Sequence, residues 1–306
     1  STGWDGETLT KRGDGTLILS GANTYSGATN IEAGTLVAGA VDTLASTEGV
    51  TVNSGAQLSL NANQVIKNIS GGGTIDLGTA GLTINNNAAN AFSGLIEGAA
   101  GSLTKTGAGN LTLSGDNTYG GGTTISQGRL IAQSATALGS GAVTNNSQLE
   151  LNLSAAGTVA NTISGSGSLF KTGGGAATLT GTGSSVNGVT VSRGALNLAQ
   201  TGAFSAASYL TESGAATIIG ANSQLVVSGL FQQNAGSTLT VQGGPGGGPA
   251  ISTGNADIDG NLVVEGLTLT HPDKASDLDQ STFTVIQSTN AINGNFDQVT
   301  IDQRAS

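Results

Sequence analysis

The sequence contains no cysteine and no methionine, and its 306 residues include only 3 prolines. Without cysteine, the chain can form neither a disulfide framework nor a thiolate metal site. Two interpretations of this absence stay open: the polypeptide avoids oxidation during export, or its composition has drifted toward small residues. Aromatic residues make up 3% of the chain, which excludes a bulky aromatic core. Any core must therefore be thin and aliphatic.

Charged side chains are also scarce, at 9% of the chain against roughly 25% in an ordinary domain. Their balance gives a net charge of −10, which argues against nucleic acid and anionic membranes as partners. No apolar run approaches the roughly 20 residues of a membrane helix, so we expect no membrane insertion by this segment. No signal peptide is visible in the first residues, STGWDGETLT, so we expect either a mature chain or a fragment.

Glycine is abundant, at 51 residues, and short aliphatic runs with a period of two recur between the glycines. Leu111 and Leu113 flank Thr112, and Leu17 and Leu19 show the same spacing. Such alternation is typical of a β-strand with one buried face. Each run is closed by Gly, Asn, Asp or Ser, which are the usual turn-forming residues.

A thirty-residue pattern occurs three times. Its copies occupy residues 9–38 (LTKRGDGTLILSGANTYSGATNIEAGTLVA), 103–132 (LTKTGAGNLTLSGDNTYGGGTTISQGRLIA) and, in a worn form, 169–198 (LFKTGGGAATLTGTGSSVNGVTVSRGALNL). The copies start at residues 9, 103 and 169, so their intervals are 94 and 66 residues. A solenoid tolerates unequal intervals because each repeat contacts only its neighbours, whereas a globular fold rarely does.

These patterns predict an all-β protein that folds as a right-handed parallel β-helix, an elongated single-stranded solenoid. The alternative is an array of β-sandwiches, which would need larger aromatic anchors and more proline in its loops. We find no convincing helical periodicity. The best helix candidate, GAFSAASYLTES at 202–213, is short and interrupted by serine.

The first two copies share the motif K-x-G-x-G-x-L-x-L-S-G-x-N-T-Y-x-G-x-T-x-I-x-x-G-x-L-x-A. This motif resembles the passenger-associated transport repeat of Gram-negative autotransporters, which use type V secretion. The segments LVVSGLFQQNAGSTLTVQG, PAISTGNADIDGNLVVEG and FTVIQSTNAINGNFDQVTID resemble the autochaperone-like region before the membrane barrel in that family. The resemblance predicts a β-helix stem over residues 1–213 and a pre-barrel β-helix region over residues 214–306.

The resemblance implies a passenger fragment that crosses the outer membrane of a Gram-negative bacterium and is then surface-exposed or secreted. Its implied partner is its own C-terminal outer-membrane β-barrel, which we expect to lie outside this sequence. The C-terminal coils, residues 214–302, would fold first and seed the remaining coils during secretion. This region holds the strongest β-formers of the chain: Leu225, Val226, Val227, Leu262, Val263, Val264, Phe283, Val285 and Ile286.

Three functions suit such a passenger. The first is an adhesin, self-association or biofilm module, whose partner is a second copy or a host surface or matrix ligand. The second is a structural stalk whose effector head lies N-terminal to this segment. The third is a polysaccharide-acting β-helix enzyme, which needs carboxylates grouped on one face. We expect the first function and no enzymatic activity.

The repeated polar residues have structural interpretations. Tyr25 and Tyr119 are predicted to cap coils rather than to stack on ligands. Asn23 and Asn117 are predicted to bond turn backbone or other asparagines rather than a ligand. One lysine recurs in every copy and is predicted to lie on a solvated edge, where its charge opposes aggregation. These lysines are Lys11, Lys105 and Lys171.

No catalytic, cofactor-binding or metal-binding residue is assigned, and no cofactor is expected. His271 is the sole histidine and lies in a polar segment, THPDKASDLDQ, which predicts a loop. The nearby carboxylates could hold Ca²⁺, although no calcium-loop spacing is present; they are Asp273, Asp277 and Asp279. The segment 243–250, GGPGGGPA, lacks the Lys-Ser/Thr of a phosphate loop. Asp257 and Asp259 share one face and are predicted to flank a turn at Gly260.

Overall fold

The computed structural model describes residues 7–243, 250–265 and 284–302. Its regular secondary structure over these residues is β-strand, which confirms the predicted all-β class. The helix candidate at 202–213 forms the strand Gly202–Thr211 instead, because alternate residues such as Phe204 and Ala206 are buried. Within the described ranges, no helix is long and apolar enough to cross a membrane.

Two compact units divide the chain, and the first is Ser1–Asn152. Its strands are β1 Leu9–Lys11, β2 Thr16–Leu19, β3 Thr29–Ile31, β4 Thr35–Ala38, β5 Val50–Val52, β6 Gln57–Leu60, β7 Gln64–Ile66, β8 Ile69–Gly71, β9 Thr74–Asp76, β10 Gly81–Asn85, β11 Asn90–Phe92, β12 Leu95–Glu97, β13 Ser102–Thr106, β14 Asn110–Leu113, β15 Thr123–Ile125, β16 Arg129–Ala132, β17 Val143–Asn145 and β18 Gln148–Leu151.

Strands that pair in this unit are parallel and come from successive coils. Leu9 lies opposite Thr29, and Thr29 lies opposite Val50, so one coil takes about 20 residues. One column of strands contains β1, β3, β5 and β8, and a second contains β2, β4, β6, β9 and β12. A third contains β7, β10, β13, β15 and β17. This arrangement is the predicted parallel β-solenoid.

The core is a set of aliphatic ladders that run from coil to coil. Leu36 lies opposite Leu58, and Leu58 lies opposite Ile75, with all three side chains fully buried. Each such side chain contributes roughly 2 kcal/mol through removal of its apolar surface from water. Outward residues alternate with these inward ones, so the period-two pattern of the sequence reports directly on which side chains face the core.

Each repeat copy consists of two stacked coils, and the two strands of its first coil pair with the two strands of its second coil. In the first copy, β1 pairs with β3 and β2 with β4. In the second copy, β13 pairs with β15 and β14 with β16. The thirty-residue unit therefore corresponds to two short strands and the two strands that stack on them one coil later.

The two copies in this unit occupy different columns. β1 and β8 share a column. β11 lies next to β8, as shown by the hydrogen bond from the Ser93 N–H to the Gly71 carbonyl. β11 in turn pairs with β14, the second strand of the second copy. The interval of 94 residues is not a whole number of coils of about 20 residues, so equivalent strands face different directions. The repeat preserves a local packing unit rather than a shared outer surface.

The second unit, Leu153–Ser306, has the same parallel organisation. Its strands are β19 Gly157–Val159, β20 Ile163–Ser164, β21 Ser168–Lys171, β22 Ala177–Leu179, β23 Ser185–Val191, β24 Ala195–Leu198, β25 Gly202–Thr211, β26 Ala216–Ile219, β27 Ser223–Gln233, β28 Thr238–Gln242, β29 Ile251–Glu265, β30 Ile286–Ser288 and β31 Ile292–Asp302. The worn third copy again forms a two-coil stack, because β21 pairs with β23 and β22 with β24.

The last coils of this unit have long strands. β27, β29 and β31 contain 11, 15 and 11 residues. Leu225, Val227 and Val264 point into the core, as expected of strong β-formers, whereas Phe283 lies outside the described residues. The predicted turn at Gly260 is wrong, because this residue lies inside β29. The strand continues through it by a register shift against β31 at a φ of 143°.

Candidate functional site

The most regular polar feature of the repeats is a buried lysine. The predicted solvated edge is wrong for all three lysines: Lys11 is 6% exposed, and Lys105 and Lys171 are 0% exposed. Each lysine follows an inward residue by two positions, so the strand pleat directs its side chain into the core. Burial of an ammonium group is tolerated only where hydrogen-bond acceptors replace water.

Backbone carbonyl oxygens provide these acceptors. Lys105 Nζ donates to the carbonyls of Thr106 at 2.6 Å, Gly107 at 2.7 Å and Gln127 at 3.3 Å. Gln127 belongs to the next coil, so the ammonium group joins the two coils of the repeat. We call Lys105 with these three carbonyls the lysine cradle.

The same lysine cradle occurs in the other copies at identical sequence offsets. Lys11 Nζ donates to Gly13 O at 2.6 Å and to Ala33 O at 2.9 Å. Lys171 Nζ donates to the carbonyls of Gly173 and Arg193. The worn third copy therefore keeps the cradle although it has lost the Asn-Thr-Tyr sequence.

A glycine at a left-handed backbone position closes each cradle. Its φ is 65° at Gly34, 68° at Gly128 and 66° at Gly194. A Cβ atom on Gly128 would lie 2.5 Å from Gly109 O and 2.6 Å from Gly107 O. Only glycine accepts both this φ and this approach, so the glycine and the lysine form one packing unit.

Burial also shifts the ionisation of these lysines. It lowers the pKa of Lys105 to about 8, and it also lowers the pKa of Lys171. The carbonyl acceptors oppose this shift because they favour the charged ammonium over the neutral amine.

The depressed pKa of Lys105 predicts a stability that rises with pH. Between pH 8 and about 10.4, the unfolded chain binds more protons at this side chain than the folded chain does, so the free energy of unfolding increases. We expect wild type to gain about 2 kcal/mol relative to Lys105→Met between pH 7 and pH 10. Urea unfolding of both proteins at the two pH values measures this gain. If wild type and Lys105→Met differ in their free energy of unfolding by the same amount at pH 7 and pH 10, the lowered pKa of Lys105 is contradicted.

The repeated tyrosines are buried, as their structural interpretation requires. Tyr25 OH lies 2.8 Å from Thr29 Oγ1, and Tyr119 OH lies 2.6 Å from Thr123 Oγ1. Thr123 Oγ1 donates onward to the Leu138 carbonyl at 3.0 Å. Burial raises the pKa of both phenols, so they stay neutral near pH 7. Neither ring is a platform for a ligand.

Removal of the Tyr119 hydroxyl tests this bond. We expect Tyr119→Phe to lower the free energy of unfolding by about 1–2 kcal/mol, because Thr123 loses a buried partner. Tyr25→Phe is the matched control and should cost less, because Tyr25 is 7% exposed and Tyr119 is 0% exposed, so water can replace the lost hydroxyl more easily at Tyr25. Thermal or urea unfolding gives both values. Equal costs would show that this difference in burial contributes nothing.

The repeated asparagines bond turn backbone, as predicted. The Asn117 side chain accepts from Ile96 N at 2.8 Å and donates to Ala137 O at 2.7 Å, so it bridges the coils on either side. Asn23 donates to Gly21 O and Thr43 O, both at 3.1 Å. In the third copy the Ser184 hydroxyl accepts from Ile163 N at 3.1 Å. Sequence comparison misses this equivalence, because the 66-residue offset aligns Asn117 with Gly183 and Ser184 lies one residue later.

A polar groove lies at one corner of the first unit. It has a volume of about 450 Å³ and is open to solvent. Arg129 donates to Gln148 Oε1 at 2.9 Å and to Glu150 Oε2 at 2.8 Å, so its charge is balanced by the Glu150 carboxylate. We call it the corner groove; its polar lining is Asn110, Ser126, Gln127, Arg129, Ser147 and Gln148.

Acidic residues are dispersed over the described ranges. Among the described residues, no three or more Asp, Glu, His or Cys side chains lie close enough together to hold a metal ion. Asp257 and Asp259 both lie on the outer face of β29, as predicted from their spacing. The calcium candidates Asp273, Asp277 and Asp279, His271 and most of the segment 243–250 lie outside the described residues.

Comparison with known proteins agrees with the repeat architecture. The family of passenger-associated transport repeats matches residues 9–38 and 103–132, which are the bounds of the first two predicted copies. Over 126 residues the chain is 37% identical to the Adhesin BmaC autotransporter of Brucella suis biovar 1 (strain 1330). This region covers 40% of the chain and 4% of that protein, so the chain corresponds to a small part of its relative.

No solved structure matches the chain. The described fold therefore rests on its own strand pairing. The two matched repeats and the similarity over 126 residues support an autotransporter passenger with repeats.

Proposed function

We propose that the chain is an adhesin-type passenger segment, exported through the outer membrane and exposed on the bacterial surface. The observation that carries this proposal is its 37% identity to an autotransporter adhesin. The side chains of the repeat support it, because the lysines, tyrosines and asparagines bond backbone or neighbouring coils. Adhesive contacts then fall to the outward residues of the strands.

Binding would come from many weak contacts. The outward residues of the repeats are mostly small and polar, and the corner groove offers amide and hydroxyl groups. Many displayed copies on one cell raise the effective concentration of such contacts, so avidity can replace a single tight pocket. Self-association, biofilm formation and attachment to a host surface or matrix all fit this mode of binding.

Surface display tests the proposal. The segment is fused to an outer-membrane barrel, displayed on a non-adherent bacterium, and scored for clumping and for binding to host cells and matrix. The barrel without the segment is the control, and protease accessibility of the segment reports its exposure. We expect a gain in clumping or binding. No gain from a folded, exposed segment would favour the alternative, a stalk that carries an effector head elsewhere.

A second role, a folding seed in the C-terminal coils 214–302, is favoured by their strand lengths. β29 contains 15 residues, whereas strands of the first unit contain 3 to 5, so the last coils form longer hydrogen-bonded ladders. We expect Phe231→Ala, at a fully buried site, to slow refolding of the full chain several-fold. The matched variant Phe92→Ala should mainly speed unfolding. If Phe231→Ala leaves the refolding rate unchanged, the seed lies elsewhere.

A further inference from the structure

One outer face of the first unit carries a regular row of threonines. Thr83 lies opposite Thr104, Thr104 opposite Thr124, and Thr124 opposite Thr144, on β10, β13, β15 and β17. All four side chains alternate with buried neighbours and point outward. We call this row the threonine ladder. Its hydroxyl groups repeat once per coil, about 4.8 Å apart.

The hydroxyl groups of the threonine ladder are available to a ligand. No hydrogen bond within the described chain engages them, and the β-branch restricts each χ1 angle. The outward positions on one side of the ladder are small: Gly81, Ser102, Gly122 and Ala142. The outward positions on the other side are Asn85, Thr106, Ser126 and Asn146. None of these residues is charged.

The corner groove borders the threonine ladder. Ser126, which lines the groove, is two residues beyond Thr124 on the same outward side. The groove adds side-chain amides from Asn110, Gln127 and Gln148, and its arginine is paired with Glu150. The combined surface therefore presents hydroxyl and amide groups in a neutral environment, within a chain whose net charge is −10.

We propose that this surface binds a neutral, hydroxyl-rich polysaccharide chain, laid along the threonine ladder with sugar units in the corner groove. The inference rests on the proposed adhesive function and names its ligand class. Sugar hydroxyls can donate to and accept from threonine hydroxyls and side-chain amides alike. An acidic polysaccharide would find no unpaired cation among the surface residues named above and would be repelled by the overall charge.

The dimensions favour a single polymer over a protein partner. Four strands about 4.8 Å apart give a surface roughly 15–20 Å long, and three to five residues make it only about 10–15 Å wide. A stable protein interface buries about 800 Å² on each partner, several times this area. The surface has no aromatic residue to stack on sugar rings, so each segment binds weakly and attachment depends on many displayed copies.

Affinity electrophoresis of the purified full chain tests the proposal. Native gels contain mannan, dextran or hydroxyethyl cellulose as neutral polymers, or alginate as the acidic one. We expect at least one neutral polymer to retard the chain and alginate to leave it unaffected. The double variant Thr104→Val/Thr124→Val should bind that polymer at least fivefold more weakly, and Gln127→Ala at least twofold.

The matched control is Thr190→Val/Thr240→Val, which removes two outward strand hydroxyls from the second unit. It should bind like wild type, and circular dichroism should show the same fold for all variants.

Three results would overturn the proposal: no retardation by any neutral polymer, retardation by alginate alone, or equal losses in both double variants. If sedimentation shows that the ladder variant instead dissociates an oligomer, the face joins two copies. Adhesion by displayed cells despite any of these results would leave the proposed function standing.

Discussion

Lys105→Met lowers the free energy of unfolding by about 3 kcal/mol at pH 7, because three inward carbonyl oxygens lose their donor at about 1 kcal/mol each. Methionine keeps the apolar length of the side chain, so the loss reports the ammonium group rather than a cavity. Replacement of a buried charge by an apolar group can also stabilise a protein. The lowered pKa of Lys105 means that burial disfavours its charged form relative to the neutral amine. Removal of the side chain is still expected to cost stability, because the backbone carbonyls then stay buried without any donor.

Urea unfolding, followed by circular dichroism, measures the effect of Lys105→Met. Lys67 provides the matched control, since it is exposed and lies in the same unit. Lys67→Met should change the free energy of unfolding by less than about 0.5 kcal/mol. A Lys105→Met protein as stable as wild type would mean that water or local rearrangement satisfies the carbonyls, and the lysine cradle would not hold the coils together.

Gly128→Ala lowers the free energy of unfolding by about 3 kcal/mol or more. An alanine at a φ of 68° costs roughly 1–2 kcal/mol through its left-handed backbone. Its Cβ would also lie 2.5 Å from Gly109 O and 2.6 Å from Gly107 O, and backbone atoms cannot move away as a flexible side chain would. The clash displaces Gly107, whose carbonyl accepts from Lys105.

Gly55→Ala isolates the backbone part of this effect. Gly55 has a φ of 82° in the same unit, but an added Cβ there would meet no atom within 4 Å. We expect this control to cost only about 1 kcal/mol. If both alanine variants lose the same stability, the contact with the cradle carbonyls contributes nothing.

The sequence predicts the features that depend on local pattern. Alternation of Leu111, Thr112 and Leu113 predicts a strand with one buried face, and the structure has that strand. Asn117 in a turn predicts bonding to backbone, which the structure also shows. These inferences succeed because strand pleat and turn chemistry act over two or three residues.

The buried lysines escape prediction because a charge is ordinarily placed in water. The available signal is the position of the lysine in the strand alternation. Lys105 follows the inward Leu103 by two residues, and each lysine is followed by a glycine two residues later. The acceptor carbonyl 22 residues away exists only once the next coil has stacked, so no local pattern reveals it. The column that each copy joins also depends on the number of residues in every coil. The sequence therefore does not predict that Thr83, Thr104, Thr124 and Thr144 form the threonine ladder.

Hydrogen–deuterium exchange across the whole chain tests the central claim most directly, that each repeat copy is a two-coil unit held by its buried lysine. We predict slower exchange within residues 9–38, 103–132 and 169–198 than in the coils between these copies, with protection in the second copy lost selectively in Lys105→Met. Uniform protection along the coils, or slower exchange between the copies than within them, would contradict the claim.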